Sequence, residues 1–363
     1  LVGFESVFPG HWQDDEYDFN GASEYRNEEV IRFIEEINSE NEGTWFGLVA
    51  RCAAAKSADQ GSFPVLGEFI LKLAERKPEV ADRLLALGAD DIRAFLPGFL
   101  NGLVLSGRND LYERVLMTEL GSARSLTGIA HHIRNPSVSN SAFASSLLEC
   151  AIEKNDQHAV IQCLLFALEY YGTEKLQDSD VFLGDSLSFL NARKDARWVS
   201  DAWFLQKVKR LFVELTPERL VQLLKNLGYL HKVNHHVERI LVRLAVRDAE
   251  AIWDFFGDRL AREAERDEVD GKFEAIPFRF HGLEKELSKN PQLAISKGLT
   301  WFTRDSKLFR FRGGRLLSSA FPNCTQEFSA ALTELIKSGG NTEVDFALAI
   351  LQNFQGEPST FVI

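Results

Sequence analysis

A 3.6-residue hydrophobic period recurs along most of this chain and limits its fold more than any other feature. In EEVIRFIEEI the apolar set Val30, Phe33, Ile34 and Ile37 falls at i, i+3, i+4 and i+7, and Leu220, Leu223, Leu224 and Leu227 repeat it. Val160, Cys163, Leu164 and Ala167 do so again. Such a helix has one dry side and must lie against another. Start signals recur at Thr216-Pro217, Asn290-Pro291 and Asn135-Pro136, where a side-chain oxygen at N-cap precedes proline. Gly88, Gly121, Gly172 and Gly228 each follow the last periodic residue of a segment, where a C-terminal cap favours a residue tolerant of positive φ. The helices between these marks run about 10 to 18 residues with short connections, which makes consecutive helices antiparallel. No alternating strand run exceeds a few residues, so the fold class is all-α.

Pairs such as ADDIRAFLPGFLNGLVLSG followed by NDLYERVLMTELG succeed one another at about 35 to 40 residues. On these pairs the chain resembles HEAT, armadillo and TPR α-helical repeat proteins over residues 25–265, with irregular repeats that meet no strict consensus. The resemblance implies a right-handed, HEAT-like α-solenoid of antiparallel helix pairs; a bundle of non-repeating helices is the alternative. More loosely, the chain is similar to the helical sensor arrays that follow the ATPase core in bacterial STAND-type NTPases. Residues 1–24 form an acidic, non-repetitive segment, and a charged run passing into IPFRFHG sets a linker at 266–280 before a C-terminal helical subdomain, 281–363. A start at Leu1 and a single methionine, Met117, suggest a fragment of a longer protein.

With 363 residues and 45% hydrophobic content the chain is long and apolar enough to exclude disorder throughout. Its 53 acidic against 41 basic residues give a net charge of -12, which repels nucleic acid and anionic lipid on average, so any phosphate binding must be local. Cys52, Cys150, Cys163 and Cys324 lie far apart without zinc spacing and are expected as reduced thiols. Every apolar run breaks before the roughly 20 residues that span a bilayer. The expectation is therefore a cytoplasmic protein without membrane contact.

Four constellations bear on chemistry. Gly184, Asp185, Ser186 and Leu187 resemble the nucleophile block of GDSL-type esterases, which implies Ser186 as nucleophile. The base-bearing D-x-x-H block and the βαβ alternation are absent, and Asp185 or Ser186 reads instead as the cap of the helix SLSFLNARKD. In LHKVNHH, His231 and His235 would share a face of one continuous helix beside His236 and Glu238, but Gly228 and Asn234 indicate a turn. His131 and His132 are adjacent and diverge on a helix, one packed and one solvated. Glu16, Asp18, Asn20 and Gly21 imitate the start of a calcium loop whose twelfth position is Asn27 rather than glutamate, although Glu28 follows.

The fourth, TRDSKLFRFRGGR, carries Arg304, Lys307, Arg310, Arg312 and Arg315 against Asp305 alone, with Phe309 and Phe311 interleaved. Arginine forks suit carboxylate or phosphate. The cations pair with this acidic chain itself, with an acidic protein surface, or with phosphate or nucleic acid. The alternation also fits a short extended segment whose rings enter the core. The expected function is a non-enzymatic protein-interaction, sensor or scaffold module, with no cofactor, metal or catalytic residue assigned. The alternatives are a nucleic-acid or phosphate binder through residues 304–315 and, last, the Ser186 esterase.

Overall fold

The computed structural model describes residues 19–55, 64–135, 138, 141–206, 208–264 and 273–354. Among the described residues every regular element is helical and none is a strand. No described helix is long and apolar enough to cross a membrane. The chain divides into two compact units, Leu1–Phe166 and Ala167–Ile363. The first holds α1 (Phe19–Glu36), α2 (Glu42–Ala53), α3 (Pro64–Arg76), α4 (Pro78–Ala86), α5 (Asp90–Arg93), α6 (Leu96–Ser106), α7 (Asn109–Ser122), α8 (Leu126–His132) and α9 (Ser141–Glu153). The division falls within α10 (Gln157–Tyr170). The second holds α11 (Ser179–Ala192), a 3-10 stretch (Arg197–Gln206), α12 (Lys209–Glu214), α13 (Pro217–Leu227), α14 (His235–Arg247) and α15 (Ala249–Ala264). It continues with α16 (Leu283–Leu287), α17 (Pro291–Arg304), α18 (Ser306–Ala320), α19 (Gln326–Ser338) and α20 (Asn341–Leu351).

The apolar stripes lie where their period puts them: Ile34, Val160, Cys163, Leu164, Leu220, Leu223 and Leu227 are buried, while Phe33 is half-buried. Thr216 Oγ1 accepts from Arg219 N (3.4 Å) and Asn290 Oδ1 from Leu293 N (3.0 Å), each with proline at the first helical position. Pro136, of the third expected cap, lies outside the described residues, as do residues 1–18 of the N-terminal segment and 266–272 of the linker. Gly88 (φ 80°) and Gly172 (φ 66°) take the left-handed conformation. Gly121 does not: it lies inside α7, whose left-handed exit is Ala123 (φ 53°). Gly228 ends α13 at φ -59°, in the right-handed region open to any residue.

In the first unit close approach of helices explains one glycine. A Cβ on Gly102 would overlap the Leu71 carbonyl and lie 2.6 Å from Ala74 Cβ, so α3 and α6 touch backbone to backbone there. A Cβ on Gly98 would lie 3.6 Å from Gly67 O, and one on Gly128 3.6 Å from Pro97 Cδ. These approaches join 71 to 102, 67 to 98 and 97 to 128, always advancing the same way, so α3, α6 and α8 run parallel. Buried polar groups pin the array. His132 Nδ1 donates to Asn101 Oδ1 (2.9 Å), which also accepts from Asn135 Nδ2 (2.8 Å), while Tyr112 Oη donates to His132 Nε2 (3.2 Å). The nearly buried Arg93 and Glu119 pair across α5 and α7 (3.2 Å).

The second unit uses the same devices. Trp198 Nε1 donates to Asn226 Oδ1 (2.7 Å), and Asn226 Nδ2 donates to Asn191 Oδ1 (2.9 Å) and Asp195 O (3.0 Å). Irregular residues 273–282 and the start of α16 are held by two buried charges. Arg259, 1% exposed on α15, donates to the carbonyls of Ala275 (2.9 Å), Glu274 (2.6 Å), Gly228 (3.0 Å) and Leu230 (2.8 Å). Glu238 on α14 accepts from His281 N and Leu283 N. Saturating an ion with backbone groups is what allows it to leave water without ruinous desolvation.

Candidate functional site

The basic stretch is helical, which corrects the extended alternative. Arg304 ends α17; Asp305 turns the chain, its carboxylate accepting from Leu308 N (3.0 Å) as the N-cap of α18. One hundred degrees per residue then separates the two phenylalanines. Phe309 is 3% exposed and stacks on Trp301 (5.8 Å), whereas Phe311 is 68% exposed. A strand would have sent both to one side.

The five cations fall into two groups. Arg304, Arg310 and Arg312 are engaged within the second unit. Arg310 pairs with Asp345 of α20 and lies over the Phe302 ring (5.6 Å); Arg312 Nη1 donates to Leu260 O (3.4 Å). Arg304 lies near Phe309 (6.0 Å) and opposes the rise in the Asp258 carboxyl's pKa that burial and then Asp254 cause. Nearby, Lys297 of α17 binds Glu250 (2.8 Å) and Asp254 (2.7 Å) of α15. Pairing with the chain's own acidic surface therefore accounts for Arg310, while Arg304 is exposed and has no ion pair among the described residues. Lys307 and Arg315 are exposed, and neither side chain has an ion pair or hydrogen bond among the described residues.

Lys307, Phe311 and Arg315 stand at i, i+4 and i+8, one above another on the open face of α18. The opposite face is sealed. Leu316, Leu317 and Ala320 are buried, and Gly314 is pressed against Asn353, where a Cβ would lie 2.7 Å from Cγ. The open face thus offers one large apolar ring between two unpaired cations, flanked by Arg310. Helical spacing is the signal that reveals this stripe, and the alternation of FRFR masks it. The partner of Arg310, Asp345, has no local signal, being 35 residues away.

The remaining constellations carry less. Ser186 is not a cap: it lies in the middle of α11, fully buried, its hydroxyl donating to Phe182 O one turn back (2.9 Å). Asn234 does turn the chain, its Oδ1 accepting from Val237 N (3.0 Å), so His231 precedes α14 while His235 and His236 begin it. Among the described residues no three His, Cys, Asp or Glu side chains could hold a metal. Asn20 and Gly21 are within α1 rather than in a sharp turn, and Glu16 and Asp18 lie outside the described residues. His132 is buried and His131 exposed, as their divergence requires. The cysteines are free thiols; Cys52, Cys163 and Cys324 are buried, and burial raises the Cys163 thiol well above its usual range.

Comparison of the chain with protein-family models, with curated proteins and with solved structures finds no match in any of the three.

Proposed function

We propose that this chain is a non-enzymatic helical-repeat interaction module, a cytoplasmic sensor or scaffold, and that the open face of α18 receives an acidic segment of a partner protein. The carrying observation is Phe311, 68% exposed between the unpaired Lys307 and Arg315. Covering one such ring contributes about 1.5 to 3 kcal/mol, and two cations beside it favour a carboxylate-rich partner over a neutral one. A repeat reading of the fold draws support from the spacing of contacts. Hydrogen bonds between side chains join residues 31 apart at Asn101 and His132, 32 at Asp82 and Arg114, 35 at Asn191 and Asn226, and 43 at Asp254 and Lys297. That is how successive helix pairs of a HEAT-like solenoid bind their neighbours. A buried, back-bonded Ser186 speaks against the esterase alternative.

The test immobilises the chain and its Lys307→Glu, Phe311→Ser, Arg315→Glu variant and exposes both to cytoplasmic extract with and without nuclease. One protein held near stoichiometrically by the wild type, surviving nuclease and lost from the variant, is expected. The three side chains are exposed, so the variant's melting curve should match the wild type. Capture abolished by nuclease would favour the nucleic-acid reading through residues 304–315. Capture unchanged in the variant would remove the site from α18.

A further inference from the structure

A second feature lies in the first unit. A cavity of about 650 Å³ opens there on α3, α5, α6, α8 and α10, within the range of about 300 to 1,000 Å³ that small-molecule sites occupy. We infer that it binds a small organic anion, an apolar or aromatic body with a carboxylate or phosphate head.

Several polar groups in its lining are already used. Arg93 is held by Glu119 and by Gly88 O (2.5 Å), Thr127 Oγ1 donates to Asp156 (3.3 Å), and Gln162 Oε1 accepts from Arg134 Nη1 (2.8 Å). Three side chains are left without a hydrogen bond or ion pair among the described residues: the Arg124 guanidinium, the Ser125 hydroxyl and the His131 ring. Although part of its surface is exposed, the protein packed around His131 and then the charge of Arg134 lower its pKa, so at neutral pH it brings a hydrogen-bonding ring rather than a second charge. The acid in the lining, Asp90, is 88% exposed and turned to Arg93 (3.4 Å). On a chain of net charge -12 this leaves Arg124 as the lining cation that no carboxylate among the described residues pairs. A guanidinium beside a hydroxyl and an imidazole suits a carboxylate or phosphate. Phe95 and Pro97 supply the apolar wall for the body of the ligand.

Glycine usage supports the same assignment. Gly67, Gly98 and Gly128 all line the cavity, and none has a positive φ. A Cβ on Gly67 would meet nothing within 4 Å, and on Gly98 or Gly128 nothing nearer than 3.6 Å, an ordinary contact. Helical glycine is unfavourable relative to alanine. Neither packing nor backbone conformation demands it at these positions, in contrast to Gly102. What the three share is that a larger side chain at each would intrude on the hollow.

Calorimetric titration of the purified chain with inorganic phosphate, AMP, benzoate and citrate, at fixed ionic strength, tests the inference. At least one of AMP and benzoate should bind saturably with Kd below about 1 mM, and inorganic phosphate more weakly, since it lacks the body. AMP without benzoate would identify a phosphate head, and the reverse a carboxylate. Arg124→Glu and Gly67→Leu should each weaken binding by roughly tenfold or more, while Gly67→Ala retains it. Gly67→Leu should melt no lower than the wild type, which separates a filled cavity from a lost fold. Absence of binding by all four anions, or undiminished binding by Gly67→Leu and Arg124→Glu, would overturn the assignment.

Discussion

His132 is 1% exposed and its pKa is lowered to about 4, by burial first and by His131 second. Its two ring nitrogens are occupied as in the neutral form, one donating and one accepting. The unfolded chain takes up this proton near pH 6.5 and the folded chain resists it to about 4. Stability from this group is thus complete above pH 6.5 and is lost as pH falls through that window, on the order of 2 to 3 kcal/mol. Urea unfolding at pH 7 and pH 4.5 should show the loss, and His132→Asn should show a shallower dependence. Glycine makes the second residue-scale prediction, because Gly67 and Gly102 look alike in the sequence. Gly102→Ala, forced against Leu71 and Ala74, should destabilise by about 1 to 3 kcal/mol. Gly67→Ala, in open space, should stabilise by up to about 1 kcal/mol. Thermal melts of the two variants moving the same way would refute this account of the α3–α6 contact.

Among the elements, caps and stripes were the legible part. A period of 3.6 and an oxygen before proline are local, and α13 and α17 begin where these signals put them. Thr216→Ala should therefore cost about 1 kcal/mol in chemical denaturation. Short motifs detached from their element were the illegible part. FRFR alternates over four residues, too few to tell period 2 from period 3.6, and α18 resolves it by burying Phe309 and exposing Phe311. Gly-Asp-Ser resembles a helix start because capping residues also occur inside helices when a hydroxyl back-bonds, as Ser186 does. Most of the α18 site was legible as a cluster of charges, but not which cations were free. That depended on acids in other elements, and sequence order carries no such information. Asn226, by contrast, is a polar residue in the dry stripe of α13, fully buried, with three partners. Asn226→Ala should strand the Trp198 indole N–H and the Asp195 carbonyl and lower stability by about 2 to 3 kcal/mol.

At the scale of the molecule, the proposed repeat reading implies contacts that reach one helix pair onward rather than across a single centre. Chains built that way need not unfold in one step. Circular dichroism follows every helix, while four of the six emitting tryptophans, Trp198, Trp203, Trp253 and Trp301, belong to the second unit and Trp12 and Trp45 to the first. Non-coincident urea transitions by these two probes are expected, and Gly102→Ala should shift the dichroism curve more than the emission curve. Coincident curves would point to a single cooperative block. The fold class was written in the periodicity; the surfaces that act on other molecules lie in residues that periodicity leaves free.

Arg259 has a consequence for how the second unit assembles. Its guanidinium is satisfied by carbonyls from two separate turns, 228–230 and 274–275. With either turn absent, the cation would be half-dehydrated, a state less favourable than full hydration or full enclosure. Docking of residues 273–275 against α15 should therefore behave as a latch that is open or shut, with no stable position between.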